Sequence, residues 1–142
     1  MTTATVPHRP RRVLRSVGAV LAGFLAVFIV TTVVDLVMHA SGVFPPWGQP
    51  MSNSLFALAT AYRVVITPAG GYITSRLAPY RPMWHAMILG VIGVALALAA
   101  TVATWNRGPS FGPHWYPIAL VITGLPCTWL GAMLYRVSHP EA

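Results

Sequence analysis

Long apolar stretches separated by short polar or Pro-rich breaks set the organisation of this chain. The first runs without interruption from after Arg15 to Ala40, apart from Asp35 and His39 near its end, and three more of similar length follow. A stretch of about 25 residues makes a helix long enough to cross a hydrocarbon core of about 30 Å. The pattern predicts transmembrane helices over residues 16–40, 53–77, 83–105 and 115–137, joined by connections 41–52, 78–82 and 106–114. The expected fold is therefore all-α: a polytopic integral membrane protein, a bundle of four transmembrane helices forming one domain over residues 1–142, with residues 1–15 as a basic N-terminal segment.

Composition sharpens this. The 142 residues are 56% hydrophobic and 8% charged, whereas soluble globular domains carry about 25% charged residues. Four crossings leave no room for a soluble domain beside them. The net charge of +7 comes from Arg with no Lys, which could point to nucleic acid or to an anionic membrane surface. Placement favours the membrane: Arg9, Arg11, Arg12 and Arg15 precede the first apolar run, Arg76 and Arg81 flank the second break, and Arg136 closes the fourth run. No basic face with interleaved aromatics is present, so no nucleic-acid partner is expected.

The same charges orient the chain. The first connection is uncharged and the third holds only Arg107, so the positive-inside rule puts both termini and the second connection in the cytoplasm. Trp47, Trp105, Trp115 and Tyr116 then fall at the outer boundary and Tyr80, Trp84 and Tyr135 at the inner one, as interfacial aromatics should. The expected location is a cell membrane, multi-pass, of the bacterial inner-membrane kind. A cleaved signal peptide is the competitor for the first run. That run exceeds the roughly 7–15 residues of a signal-peptide core, and its end, Met38-His39-Ala40-Ser41, lacks a small-x-small cleavage site.

Lipid solvates Leu as well as a neighbouring helix does, so the helices must associate through close approach, packing and hydrogen bonds. Small residues at four-residue intervals offer candidate seams: Gly18, Ala22 and Ala26; Ala95, Ala99 and Ala103, with Gly93 and Ala97; and Gly124, Thr128 and Ala132. They fit either packing within the bundle or a dimer face. The third helix is nearly free of polar groups between Met87 and Ala100, and no site is expected there.

Asp35 is the only acidic residue besides Glu141 near the C-terminus. It falls about 7 Å, and Arg63 about 15 Å, below the outer boundary at about 1.5 Å per residue. Either charge alone at mid-membrane depth costs about 2.5–3.5 kcal/mol on insertion scales, so the two are expected as an ion pair, structural or functional. Thr31, Asp35 and His39 share one face of the first helix, and Thr60, Arg63, Thr67 and Thr74 one face of the second. Asp35 and His39 could hold a proton or offer two metal ligands, with His114 as a conceivable third, but two ligands are not a site and no metal or other cofactor is expected. His85 is expected near the inner interface.

Pro68 removes a backbone donor, and Gly70 and Gly71 follow, so the second helix should kink or break beside Arg63. Pro126, between Thr123 and Cys127, gives a similar place in the fourth. Interrupted helices beside a midplane charge mark sites in transporters, so the expected cavity lining is Thr31, His39, Thr60, Thr67, Pro68, Gly70, Gly71, Thr123 and Cys127. The first and third connections, rich in Pro, Gly and aromatics, are expected to be ordered caps anchored by Trp47, Trp105 and Trp115.

No nucleophile with a base, no paired carboxylates and no ligand cluster appears, so an enzyme is not expected. The reading is a small non-catalytic membrane protein, an accessory or structural subunit, whose partners are the lipid bilayer and other membrane-protein subunits or itself. The alternative is a small homo-oligomeric proton-coupled carrier using Asp35 and Arg63. In size and in the acidic residue Asp35 of its first helix, the chain is similar to the small multidrug resistance exporters, four-helix dimers with a membrane carboxylate. It departs from them in the position of Asp35 near the outer end, the expected Arg partner and the longer connections.

Overall fold

The computed structural model describes residues 9–141; residues 1–8 of the basic N-terminal segment lie outside the described residues. The fold is all-helical, with α1 at Arg9–Ala40, α2 at Asn53–Leu77, α3 at Pro82–Thr104 and α4 at Trp115–Ser138. A short 3-10 turn, Pro109–Phe111, precedes α4. The main departure from the sequence expectation is that α1 already includes Arg9, the first described residue, and so extends back past Ser16. Arg is a good helix former, so Arg11, Arg12 and Arg15 continue the helix N-terminal to the apolar run.

Three helices are long and apolar enough to cross a membrane: α1, α3 and the span that ends with α4. The remaining one, α2, has the length at 25 residues. Asn53, Tyr62, Arg63, Ser75 and Arg76 make it more polar than the others. Its surroundings account for that polarity, because α2 packs extensively on α4 and α1 and also against α3. α4 also packs along α3, while α1 rests on α2 and touches α3 more lightly.

The expected interruption of α2 is absent: the helix runs continuously through Pro68. What the Pro68–Gly71 stretch does is bring backbones together. A Cβ on Gly71 would overlap the Thr128 backbone of α4, and a Cβ on Gly131 would overlap the Pro68 carbonyl. On the other flank, a Cβ on Gly70 would strike Val27 of α1, and one on Gly23 would strike Thr74 and the Gly70 carbonyl.

These contacts sort the expected seams: the Gly124, Thr128 and Ala132 row packs within the bundle, with Thr128 and Ala132 buried. Gly18 faces open space, and Ala95, Ala99 and Ala103 are exposed. The buried small residues include Ala19 and Gly23 on α1, Gly70 and Gly71 on α2, Ala86 and Gly90 on α3, and Thr128, Gly131 and Ala132 on α4. His85, in the first turn of α3, is buried within the bundle; its Nδ1 lies 3.2 Å from the Arg81 carbonyl and its ring meets Tyr80 edge-on.

Candidate functional site

The α1–α2 and α3–α4 connections share one end of the bundle, called the loop end below, and the polar network lies beneath them. Asp35 projects from α1, and Tyr62 and Arg63 from α2. Arg63 donates through Nη2 to Asp35 Oδ2 at 2.6 Å. The Tyr62 hydroxyl donates to the other carboxylate oxygen, Oδ1. Both oxygens of Asp35 are therefore engaged, one by a charge and one by a phenol. A guanidinium has five N–H donors, and the recorded side-chain bonds of Arg63 use one; its Nε is buried without a partner. Tyr62 was not among the residues singled out from sequence.

His39 turns away from this network. Its Nδ1 lies 2.8 Å from the backbone carbonyl of Asp35 rather than from the carboxylate. Trp47 stacks on the ring at 3.6 Å between centroids and 7° between planes, and Phe44 meets it edge-on at 5.3 Å. His114 is packed separately: it stacks on Trp105 at 4.0 Å and bonds that residue's carbonyl at 2.9 Å. The conceivable trio of Asp35, His39 and His114 is thus not assembled, and among the described residues no group of three His, Cys, Asp or Glu side chains could hold a metal ion.

Two cavities meet at Arg63. The loop-end cavity, about 180 Å³, is walled by Asp35, His39, Trp47, Tyr62, Arg63 and Tyr116 among others. The inner cavity, about 220 Å³, lies among all four helices; Phe24, Phe28, Leu89 and Leu120 give it apolar walls, and Thr31, Thr67 and Thr123 face it. Arg63 lines both, so the Asp35–Arg63–Tyr62 network stands between them.

Of the residues expected to line a cavity, Thr31, Thr67 and Thr123 line the inner one and His39 the outer. Thr60, Pro68, Gly70, Gly71 and Cys127 line neither. Thr60 bonds its own helix at the Phe56 carbonyl, 2.9 Å away. The Pro68–Gly71 stretch is packing surface, and Cys127 is a buried apolar contact. Contrary to expectation, α3 contributes to the cavity through Leu89, Gly90 and Gly93. Its lack of polar groups concealed this, since a cavity wall requires none.

The loop-end aromatics are organised. Trp47, Trp105 and Trp115 are exposed, yet each has a partner: Trp47 on His39, Trp105 on His114, and Trp115 donating through Nε1 to Asn53 Oδ1 at 3.3 Å. Beneath them Phe56 packs on Tyr116, and Gly112 sits so close to Phe56 that a Cβ would collide with its ring. Gly112 also has φ +91°, a left-handed backbone that disfavours any other residue.

No family model matches this chain, and no match was found among curated proteins or solved structures.

Proposed function

We propose that this chain is a small non-catalytic integral membrane protein that crosses the bilayer four times, with both termini and the α2–α3 connection in the cytoplasm, and acts as a helical subunit. One observation carries it. Along its whole length α1 leaves a broad apolar flank uncovered, including Leu21, Leu25, Phe28, Ile29, Val33 and Leu36. A soluble monomer rarely exposes a contiguous apolar patch beyond a few hundred Å²; lipid or a neighbouring helix would solvate it. The α2 helix enters this arrangement as the polar member shielded by three apolar neighbours, its charge at Arg63 matched by Asp35 within the bundle. The glycine-mediated contacts at Pro68–Gly71 favour a fixed packing role for α2 over a moving one.

The decisive measurement is native mass spectrometry of the tagged protein extracted in mild detergent from its own host. The expected particle contains a second membrane protein in fixed stoichiometry. Particles holding only copies of this chain would overturn the accessory-subunit reading.

The carrier reading keeps one favourable observation: the two cavities meet at a single ion-paired arginine. In a carrier of this design, protonation of Asp35 would release Arg63 and Tyr62 and join the cavities. Asp35→Asn would then remain folded and lose pH-dependent uptake; uptake that keeps its pH dependence in that variant excludes Asp35 as the coupling group.

A further inference from the structure

The inner cavity has an unequal supply of hydrogen-bonding groups. Four threonine hydroxyls border it, and each donates to a carbonyl of its own helix at 2.7 Å: Thr31 to Val27, Thr67 to Arg63, Thr123 to Ala119 and Thr128 to Gly124. A hydroxyl has one proton to give, so these four offer the cavity only acceptor lone pairs. The other lining side chains are apolar apart from Arg63. Of the Arg63 guanidinium, Nη2 is held by Asp35 and Nε is sealed by its surroundings, which leaves Nη1 as the donor a ligand can reach.

Charge narrows the ligand further. Arg63 is already balanced by Asp35 at 2.6 Å. An anion entering the cavity would add an unbalanced charge in apolar surroundings, and a cation would meet the guanidinium; both are disfavoured by desolvation. A neutral molecule with one acceptor avoids both costs. Size gives a scale: an enclosed apolar cavity of about 150 Å³ accommodates a benzene ring, so this partly open one of about 220 Å³ matches about nine non-hydrogen atoms. An entrance is available beside Gly93, which lines the cavity, is exposed, and would meet nothing within 4 Å if it carried a Cβ.

We infer that the inner cavity is a binding site for a small, neutral, largely apolar molecule carrying a single hydrogen-bond acceptor, such as an aryl or alkyl ketone or ester, whose oxygen is held by Arg63. The site is independent of whether the bundle serves as a subunit or a carrier, since it needs only the four-helix packing.

The test uses three probes of nearly one shape: acetophenone with a neutral acceptor, cumene with none, and benzoate with a charged one. Each is titrated into the full-length protein, methyl-labelled at Leu and Val, in lipid nanodiscs. The methyl signals of Val27, Val64, Leu89 and Leu120 report binding at the cavity itself and separate it from partition into lipid. Acetophenone is expected to shift them with about tenfold higher affinity than cumene, the increment of one hydrogen bond to a charged donor, and benzoate is expected to bind most weakly. Gly93→Leu and Thr123→Leu, which add bulk at the cavity, should abolish the shifts. The double variant Asp35→Asn with Arg63→Met removes the donor without stranding a charge; it should bind both neutral probes equally.

Equal affinity of acetophenone and cumene for the unaltered protein would overturn the role of Arg63, and benzoate binding tightest would overturn the neutral class. Shifts that survive both filling variants, or no shifts with any probe, would overturn the site. Should the double variant fail to fold, the probe series on the unaltered protein and the two filling variants decides the matter.

Discussion

Asp35 makes the balance of effects at single residues measurable. Its carboxylate joins α1 to α2 through Arg63 and Tyr62. The side chains of Arg63 and Asp35 remain 28% and 23% exposed, so removing one partner should cost less than the 3–5 kcal/mol typical of fully buried pairs, on the order of 1–2 kcal/mol. Asp35→Asn is therefore expected to lower the thermal unfolding midpoint in detergent. Adding Arg63→Gln should recover part of the loss, because no charge is then left unmatched; equal midpoints for the original protein and both variants would mean that the pair does not contribute. Tyr62→Phe leaves one carboxylate oxygen without its donor and should cost about 1 kcal/mol in the same assay. The pairing of Asp35 with Arg63 was legible in the sequence because charges are scarce and apolar surroundings force them together. The contribution of Tyr62 was not, because which neighbour of Arg63 faces α1 depends on how α2 is rotated about its axis. His39 shows the converse limit: its i, i+4 spacing from Asp35 is correct, yet its ring bonds the Asp35 backbone carbonyl under a Trp47 lid.

For the helices, hydropathy specifies extent well and facing poorly. The expected ends of α2 coincide with the observed ones, and those of α3 and α4 differ by a residue, because apolar runs end abruptly at Pro, Gly and Arg. The small-residue rows were harder to assign. Gly and Ala occur on several faces of each helix, so sequence alone could not separate Gly18, which touches nothing, from Gly23, which meets Thr74 and Gly70. Two substitutions of equal chemistry should divide accordingly. Gly131→Ala drives a methyl into the Pro68 carbonyl and should destabilise by about 1–3 kcal/mol, the usual cost of overpacking. Gly18→Ala adds the same methyl to open space and gains helix propensity, so its unfolding midpoint should stay level or rise. Comparable losses in both variants would show that the α2–α4 contact is less close than described. The same contacts hold the Pro68 stretch between α1 and α4, and α2 runs through it without a break.

Across the whole molecule, the distribution of arginine ties the bundle to a direction. Antiparallel packing brings Arg76, Arg81 and Arg136 to the end opposite the loop end, and Arg11, Arg12 and Arg15 of α1 point to that same end. Arg107 alone remains with the aromatic loops. If the bundle spans a bilayer, this asymmetry orients it with the arginine-rich end in the cytoplasm. Single cysteines test the proposal directly in a Cys127→Ala background, the native thiol being buried. Ser41 and Ser110 are exposed at the loop end and Ser138 is exposed at the other, and Ser→Cys changes little in volume at any of them. A membrane-impermeant maleimide added to intact cells should label Ser41→Cys and Ser110→Cys, while Ser138→Cys should react only after the cells are opened. Labelling of Ser138→Cys in intact cells with protection of the other two would reverse the orientation, and labelling of Ser41→Cys without Ser110→Cys would mean an odd number of crossings between them. That second outcome bears on α2 in particular. It is the helix whose own composition does not mark it as a membrane span, and a crossing by it would depend on the shielding that α1, α3 and α4 provide for Arg63.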